Sequence, residues 1–168
     1  MYIPGTIAQR PSEYEVYDAY LRHLYPNGFA KLVIACATVP PDPIPTEDRI
    51  RRELPNAKAD ACADFERLCR QSVGLQRELF DQANCIQFTR QAVSESYGLS
   101  HLQADYPEGD GIIYLSCVGF SIDKRQALGS VETFSHRPFP SAGFGYRMLA
   151  SRVRGIWQVA ETEVTWIA

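Results

Sequence analysis

The chain has 168 residues, 45% of them hydrophobic and 22% charged, with a formal net charge of -3. That length favours one domain over residues 1–168, and the hydrophobic fraction excludes an intrinsically disordered chain. The mild acidity speaks against a nucleic-acid partner, and no apolar run reaches the roughly 20 residues that span a bilayer, so no membrane segment is expected.

Ser12 and Glu15 form a capping-box pattern after Pro11, and Tyr14, Tyr17, Leu21 and Leu24 then recur at helical spacing. A helix is predicted from there to Tyr25, where Pro26-Asn27-Gly28 breaks it. Leu32 to Val39 is a continuous apolar, β-rich run, too short for a typical helix, and reads as a strand buried on both faces. Prolines at 40, 41, 43 and 45 favour a stiff, polyproline-like connector. Thr46 caps a short helix to Leu54. A second helix is predicted over Ala57 to Val73, with Ala61, Phe65 and Leu68 on its apolar face and Gly74 as its C-cap.

Cys62 and Cys69 lie two turns apart on that helix, about 10 Å of rise, which is too far for a disulfide. Five cysteines at irregular spacing, with no CxxC, fit free thiols in a reducing compartment. Met1-Tyr2-Ile3-Pro4-Gly5 has neither the basic nor the apolar stretch of a signal peptide, so a cytoplasmic location is expected. Further on, Asn84 to Arg90 is a predicted strand, and Gln91 to Tyr97 a helical turn or loop.

Turn chemistry from Tyr106 to Gly111 launches four predicted strands: Gly111–Phe120, Gln126–Ser135, Gly143–Val153 and Ile156–Ile167. Their connectors are short, and Arg154-Gly155 is a tight hairpin, so the strands form an antiparallel meander. Glycines within the strands predict strong curvature. In the last strand the apolar phase shifts between Val159 and Val164, and a bulge between Ala160 and Glu163 would bring Trp157 and Trp166 to one face. The predicted fold is α+β, with N-terminal helices and one strand packed on a curved four-stranded meander. At fold level this is similar to the cystatin and NTF2-like rolls, where a pocket opens between helix and sheet.

The segment YPEGDGIIYLSCVGFSIDKRQAL, followed by Gly143-Phe144-Gly145-Tyr146, Gly155-Ile156-Trp157 and Val164-Thr165-Trp166, resembles a family of small uncharacterised bacterial proteins. Members carry a YP turn, an LSRVGFN-like strand, an AL strand, a GxG, a GxW and a closing tryptophan strand. Ala63-Asp64-Phe65 matches a DF-containing helix of the same family. The resemblance implies a shared fold and no chemistry. Cys117 stands where the family pattern has arginine, so no role of that arginine transfers.

Signatures of zinc proteases, P-loop enzymes, serine hydrolases and kinases are missing, and the three histidines show no metal-ligand spacing. No metal and no cofactor is expected. An enzyme reading would use His136 as general base, Ser116 or Cys117 as nucleophile and Glu132 to orient the base. The plainer reading makes Cys117 an inert core thiol. Tyr114, Tyr146, Arg147 and His136 are the candidate lining of a pocket. Tyr14, Tyr17, Tyr20 and Tyr25 are a candidate protein interface, because tyrosine buries its ring while keeping its hydroxyl hydrogen-bonded. The resulting expectation is a non-enzymatic module that binds a protein or small molecule. The alternative is an enzyme of the roll type with a pocket between helix and sheet.

Overall fold

The computed structural model describes residues 11–90, 104–107, 109, 111–135 and 142–167. Among these residues three α-helices, α1 (Pro11–Leu24), α2 (Glu47–Glu53) and α3 (Ala59–Leu68), accompany seven strands. The strands are β1 (Leu32–Ala35), β2 (Ile86–Thr89), β3 (Ile112–Leu115), β4 (Gly119–Phe120), β5 (Gln126–Ser135), β6 (Ala142–Val153) and β7 (Ile156–Ile167). They form one open sheet in the order β2-β1-β3-β5-β6-β7, with β4 also paired to β5. β1 is parallel to β2 and β3, and every later pairing is antiparallel. The class is α+β, with a mostly antiparallel sheet. No described helix is long and apolar enough to cross a membrane.

Several predicted elements are shorter in the structure, for reasons outside their own sequence. Helix α1 already includes Pro11, so Ser12 sits in its first turn instead of capping it. Strand β1 stops at Ala35 because the chain turns to meet residues 73–75: Leu75 N–H donates to Cys36 O, and Thr38 N–H donates to Val73 O. The same pairing ends α3 at Leu68 and puts Gly74 in an isolated bridge with Ala37, not at a helix C-cap. Helix α2 does begin after Thr46, whose hydroxyl accepts the Arg49 N–H. The Gln91 to Tyr97 segment lies outside the described residues.

The predicted strand over Gly111–Phe120 is broken into β3 and β4. Leu115 pairs with Val131 and Gly119 with Leu128, so four steps on one strand oppose three on the other. The extra residue is a bulge that inverts the phase of the side chains. Ser116 holds it: its hydroxyl donates to Cys117 O and accepts the Ser130 N–H, both at 2.8 Å.

Helix α1 lies on one face of the sheet. Tyr17 donates to Ser116 O at 2.9 Å, and Tyr20 donates to Met148 O at 3.2 Å. Around them Leu32, Ile34, Ile113, Leu115, Val131, Met148, Ala150 and Trp157 form the larger core. The opposite face carries α2 and α3, with Ile50, Leu54 and Phe65 packed on Leu128 and Leu149. Gly119 lets α3 rest directly on β4, since a Cβ there would overlap the Phe65 backbone. Asp64 accepts the Phe120 N–H at 2.8 Å and Asp60 the Ile122 N–H at 2.7 Å, which pins the helix to the strand. Cys62 and Cys69 are buried and free, and burial pushes both thiols up to about 11.

Strand β7 contains the predicted bulge at Ala160 and a second one at Thr165, where the pairing jumps from Tyr146–Val164 to Gly145–Trp166. Two inversions cancel. Trp157 therefore packs with Phe120 on the α1 face, while Trp166 lies over Gly143 and Gly145 on the other. The expectation that both tryptophans share a face is corrected by that second bulge.

Candidate functional site

The three pocket residues read from the sequence that are described, Tyr114, Tyr146 and Arg147, do not converge. Tyr146 projects from β6 toward the α1 face, where it stacks on Phe144 at 6.0 Å. Its neighbour Arg147 projects to the opposite face, as adjacent strand residues must. Tyr114 shares the Arg147 face but is buried, with its ring edge-on to Phe134 at 5.7 Å. His136 lies outside the described residues.

Arg147 is 3% exposed and forms an ion pair with Glu53 at the end of α2. Glu53 also accepts the Arg49 Nε–H at 2.7 Å, so one carboxylate joins two arginines. Burial pulls Arg147 down to about 10, and the nearby Arg49 charge adds to this, while Glu163 opposes it. Ser130 is paired with Arg147 across β5 and β6 and is also buried. This is a structural ion pair that ties α2 to the sheet. Beside it, burial raises the Glu132 carboxyl above its usual range, against the pull of the Trp166 indole N–H.

Of the nucleophilic constellation, Ser116 and Cys117 are described, while its base, His136, lies outside the described residues. The Ser116 hydroxyl is committed to the bulge described above. Burial pushes the Cys117 thiol up, and it contacts Thr38 Oγ1 at 3.3 Å and Gln71 O at 3.5 Å. A raised, buried thiol is a poor nucleophile.

The tyrosine interface is corrected as well. Tyr14, Tyr17 and Tyr20 are at most 2% exposed and belong to the main core, and Tyr25 packs half-buried beside Phe29. The hydroxyls of Tyr14, Tyr17 and Tyr20 find partners inside the molecule, including the Gln76 N–H, which donates to Tyr14 at 2.8 Å. The wide apolar stripe of α1 is explained by its packing against both the sheet and Leu75, Phe80 and Phe88.

A different surface has the character of an interface. The meander places the β4–β5 and β6–β7 turns at the same end of the sheet, and Arg152 N–H donates to Arg125 O between them at 2.9 Å. Ile122 on the first turn is 85% exposed. Val153 and Ile156, the last cross-strand pair of the second hairpin, are 48% and 58% exposed. The same two turns carry Lys124, Arg125, Arg152 and Arg154, all exposed, with Arg152 on the Trp157 face and Val153 and Ile156 on the other.

Both turns are stiff. Asp60 fixes the Ile122 N–H, Ser121 and Asp123 accept the Arg125 N–H, and Lys58 pairs with Asp123. The two positive-φ non-glycine residues among the described residues are Lys124 (φ 55°) and Arg154 (φ 51°), one in each turn. Arg154 and Gly155 (φ 83°) together make the type I′ hairpin that the tight turn predicted. Glycine or asparagine is the relaxed choice at such positions, and a long side chain costs about 1 kcal/mol there. The signal in the sequence was the basic residues of two short connectors, Lys124-Arg125 and Arg152 with Arg154.

No family model, no curated protein and no solved structure matches the chain.

Proposed function

We propose that the protein is a non-enzymatic binding module that engages a partner protein through the end of its sheet where the β4–β5 and β6–β7 turns meet. The observation that carries this reading is that Ile122, Val153 and Ile156 are exposed on two rigid turns at one end of the sheet, which also hold both left-handed cations. Covering each exposed aliphatic side chain with a partner would contribute about 1–2 kcal/mol. The resemblance to small uncharacterised bacterial proteins belongs to the same proposal and carries a common fold only. The enzyme alternative has less to support it: α1 bonds directly to sheet carbonyls, and Tyr146 and Arg147 occupy opposite faces.

Affinity capture from an extract of the source cells tests the proposal. The native chain is compared with the double variant I122S/I156S and with E78Q, a change at an exposed position on another part of the surface. A protein retained by the native chain and E78Q but lost by the double variant is the expected result. Identical sets on all three, or no retained protein, would overturn it.

A further inference from the structure

We infer that the partner presents carboxylates to this end of the sheet: the surface is built to receive an acidic, aliphatic protein segment. The inference rests on the reading above and specifies its chemistry.

The first argument is charge. The chain as a whole is acidic, at -3, yet these two turns carry four cations and one carboxylate, Asp123. Lys58 already engages that carboxylate, and Ser121 Oγ donates to it at 2.6 Å. No ion pair among the described residues joins Lys124, Arg125, Arg152 or Arg154 to a carboxylate, so their charge is not neutralised within the described fold.

The second argument is geometry. Arg152 Nε donates to Gly155 O at 3.2 Å, and its guanidinium sits 5.9 Å from the Trp157 ring centre. Lys124 Nζ is 4.9 Å from the Phe120 ring centre, and those two rings lie 5.8 Å apart. One aromatic pair therefore parks two cations and removes part of the entropy that binding would otherwise cost. A positioned guanidinium matches the two oxygens of a carboxylate.

The third argument separates the possible anions. An anionic bilayer is attracted by mobile basic clusters and rewards aromatic side chains at its interface, whereas the exposed apolar residues of these turns are aliphatic and rigidly mounted. A single-stranded nucleic acid needs exposed rings on which bases stack, and here Trp157 and Phe120 are both 3% exposed. At this edge Lys124, Arg125 and Arg152 lie on the Phe120 and Trp157 side and Val153 and Ile156 on the other, so an acidic segment with aliphatic residues that crosses the sheet end meets cations on one side and aliphatic side chains on the other.

The test uses the full chain labelled for amide NMR and a synthetic peptide of alternating glutamate and leucine. Three comparison probes are the glutamine–leucine peptide, vesicles of phosphatidylcholine with phosphatidylserine, and single-stranded RNA. The expected result is shifts confined to residues 121–126 and 151–157 with the glutamate peptide, fading as salt rises. Arg154→Gly removes one cation while relaxing a strained turn, so it should fold at least as well and bind the peptide about tenfold more weakly. Equal binding of the glutamine peptide overturns the inference, as do tighter binding of vesicles or RNA and the absence of shifts with the glutamate peptide. If I122S/I156S loses its captured protein while the glutamate peptide gives no shifts, the surface stands and its chemistry is wrong. If capture fails too, the binding surface itself is wrong.

Discussion

Tyr20 and Met148 are 128 positions apart, and the tyrosine hydroxyl donates to the methionine carbonyl at 3.2 Å from within the core. The ring reaches that carbonyl only because position 129, next to Met148 on the neighbouring strand, is glycine; a Cβ there would stand 3.0 Å from the ring. Gly129→Ala should therefore destabilise the protein by about 1–3 kcal/mol through overpacking. Tyr20→Phe, which removes only the hydroxyl, should cost about 1 kcal/mol. Denaturant midpoints of the two variants check both values. Equal midpoints for Gly129→Ala and the native chain would refute the close packing.

Gly119→Ala should be the more damaging glycine change. Its Cβ would overlap the main chain of α3 at Phe65, which has no flexible end to move aside. Lifting the helix also breaks the bonds from Asp64 and Asp60 to Phe120 and Ile122. A loss of about 3–5 kcal/mol is expected, read by urea unfolding, with the Phe120 and Ile122 amides losing hydrogen-exchange protection first.

Asp18 gives the protein a pH dependence near neutrality. Burial, with the Asp81 charge adding to it, raises the Asp18 carboxyl to about 7, although the Asp81 N–H and Arg22 pull the other way. Its ordinary value is 3.8, so between that and about 7 the folded chain binds more protons than the unfolded one. Stability should fall as pH rises through this window and level off above it. Asp18→Asn should flatten the slope and exceed the native chain at alkaline pH. Thermal midpoints measured across the window decide the matter; a native profile as flat as that of the variant would contradict it.

Breaking the Arg147–Glu53 pair should cost more than replacing it. Arg147→Met leaves the Glu53 carboxylate facing the sheet without its buried partner, for a loss of about 3 kcal/mol. The double variant R147M/E53M should lose clearly less than the sum of the single changes, because neither charge is left behind. A strictly additive double-mutant cycle would show that the two side chains do not interact.

Much of the local structure was legible in the residues. Thr46 marked the start of α2, Pro26-Asn27-Gly28 the end of α1, and Arg154-Gly155 the hairpin, since each rests on a nearest-neighbour backbone preference. The tyrosines of α1 were misplaced for the complementary reason. A ring spacing says which side chains share a helix face, but the acceptors Ser116 O and Met148 O that allow Tyr17 and Tyr20 to be buried lie far along the chain. The Arg147–Glu53 pair was hidden in the same way, because a lone arginine on a strand gives no indication of the α2 carboxylate that meets it.

Length, composition and pattern by themselves determined a domain of helices and short-looped strands, with antiparallel order wherever connectors were too short for a crossover. The tertiary structure alone decided which face each side chain serves. The physical reason is the two-residue period of a strand: single extra residues near Ser116, Ala160 and Thr165 each invert the phase, and their positions depend on the partner strand. The same pairing brings Arg125 beside Arg152, turning an acidic, outwardly ordinary composition into one sheet end with basic and aliphatic character.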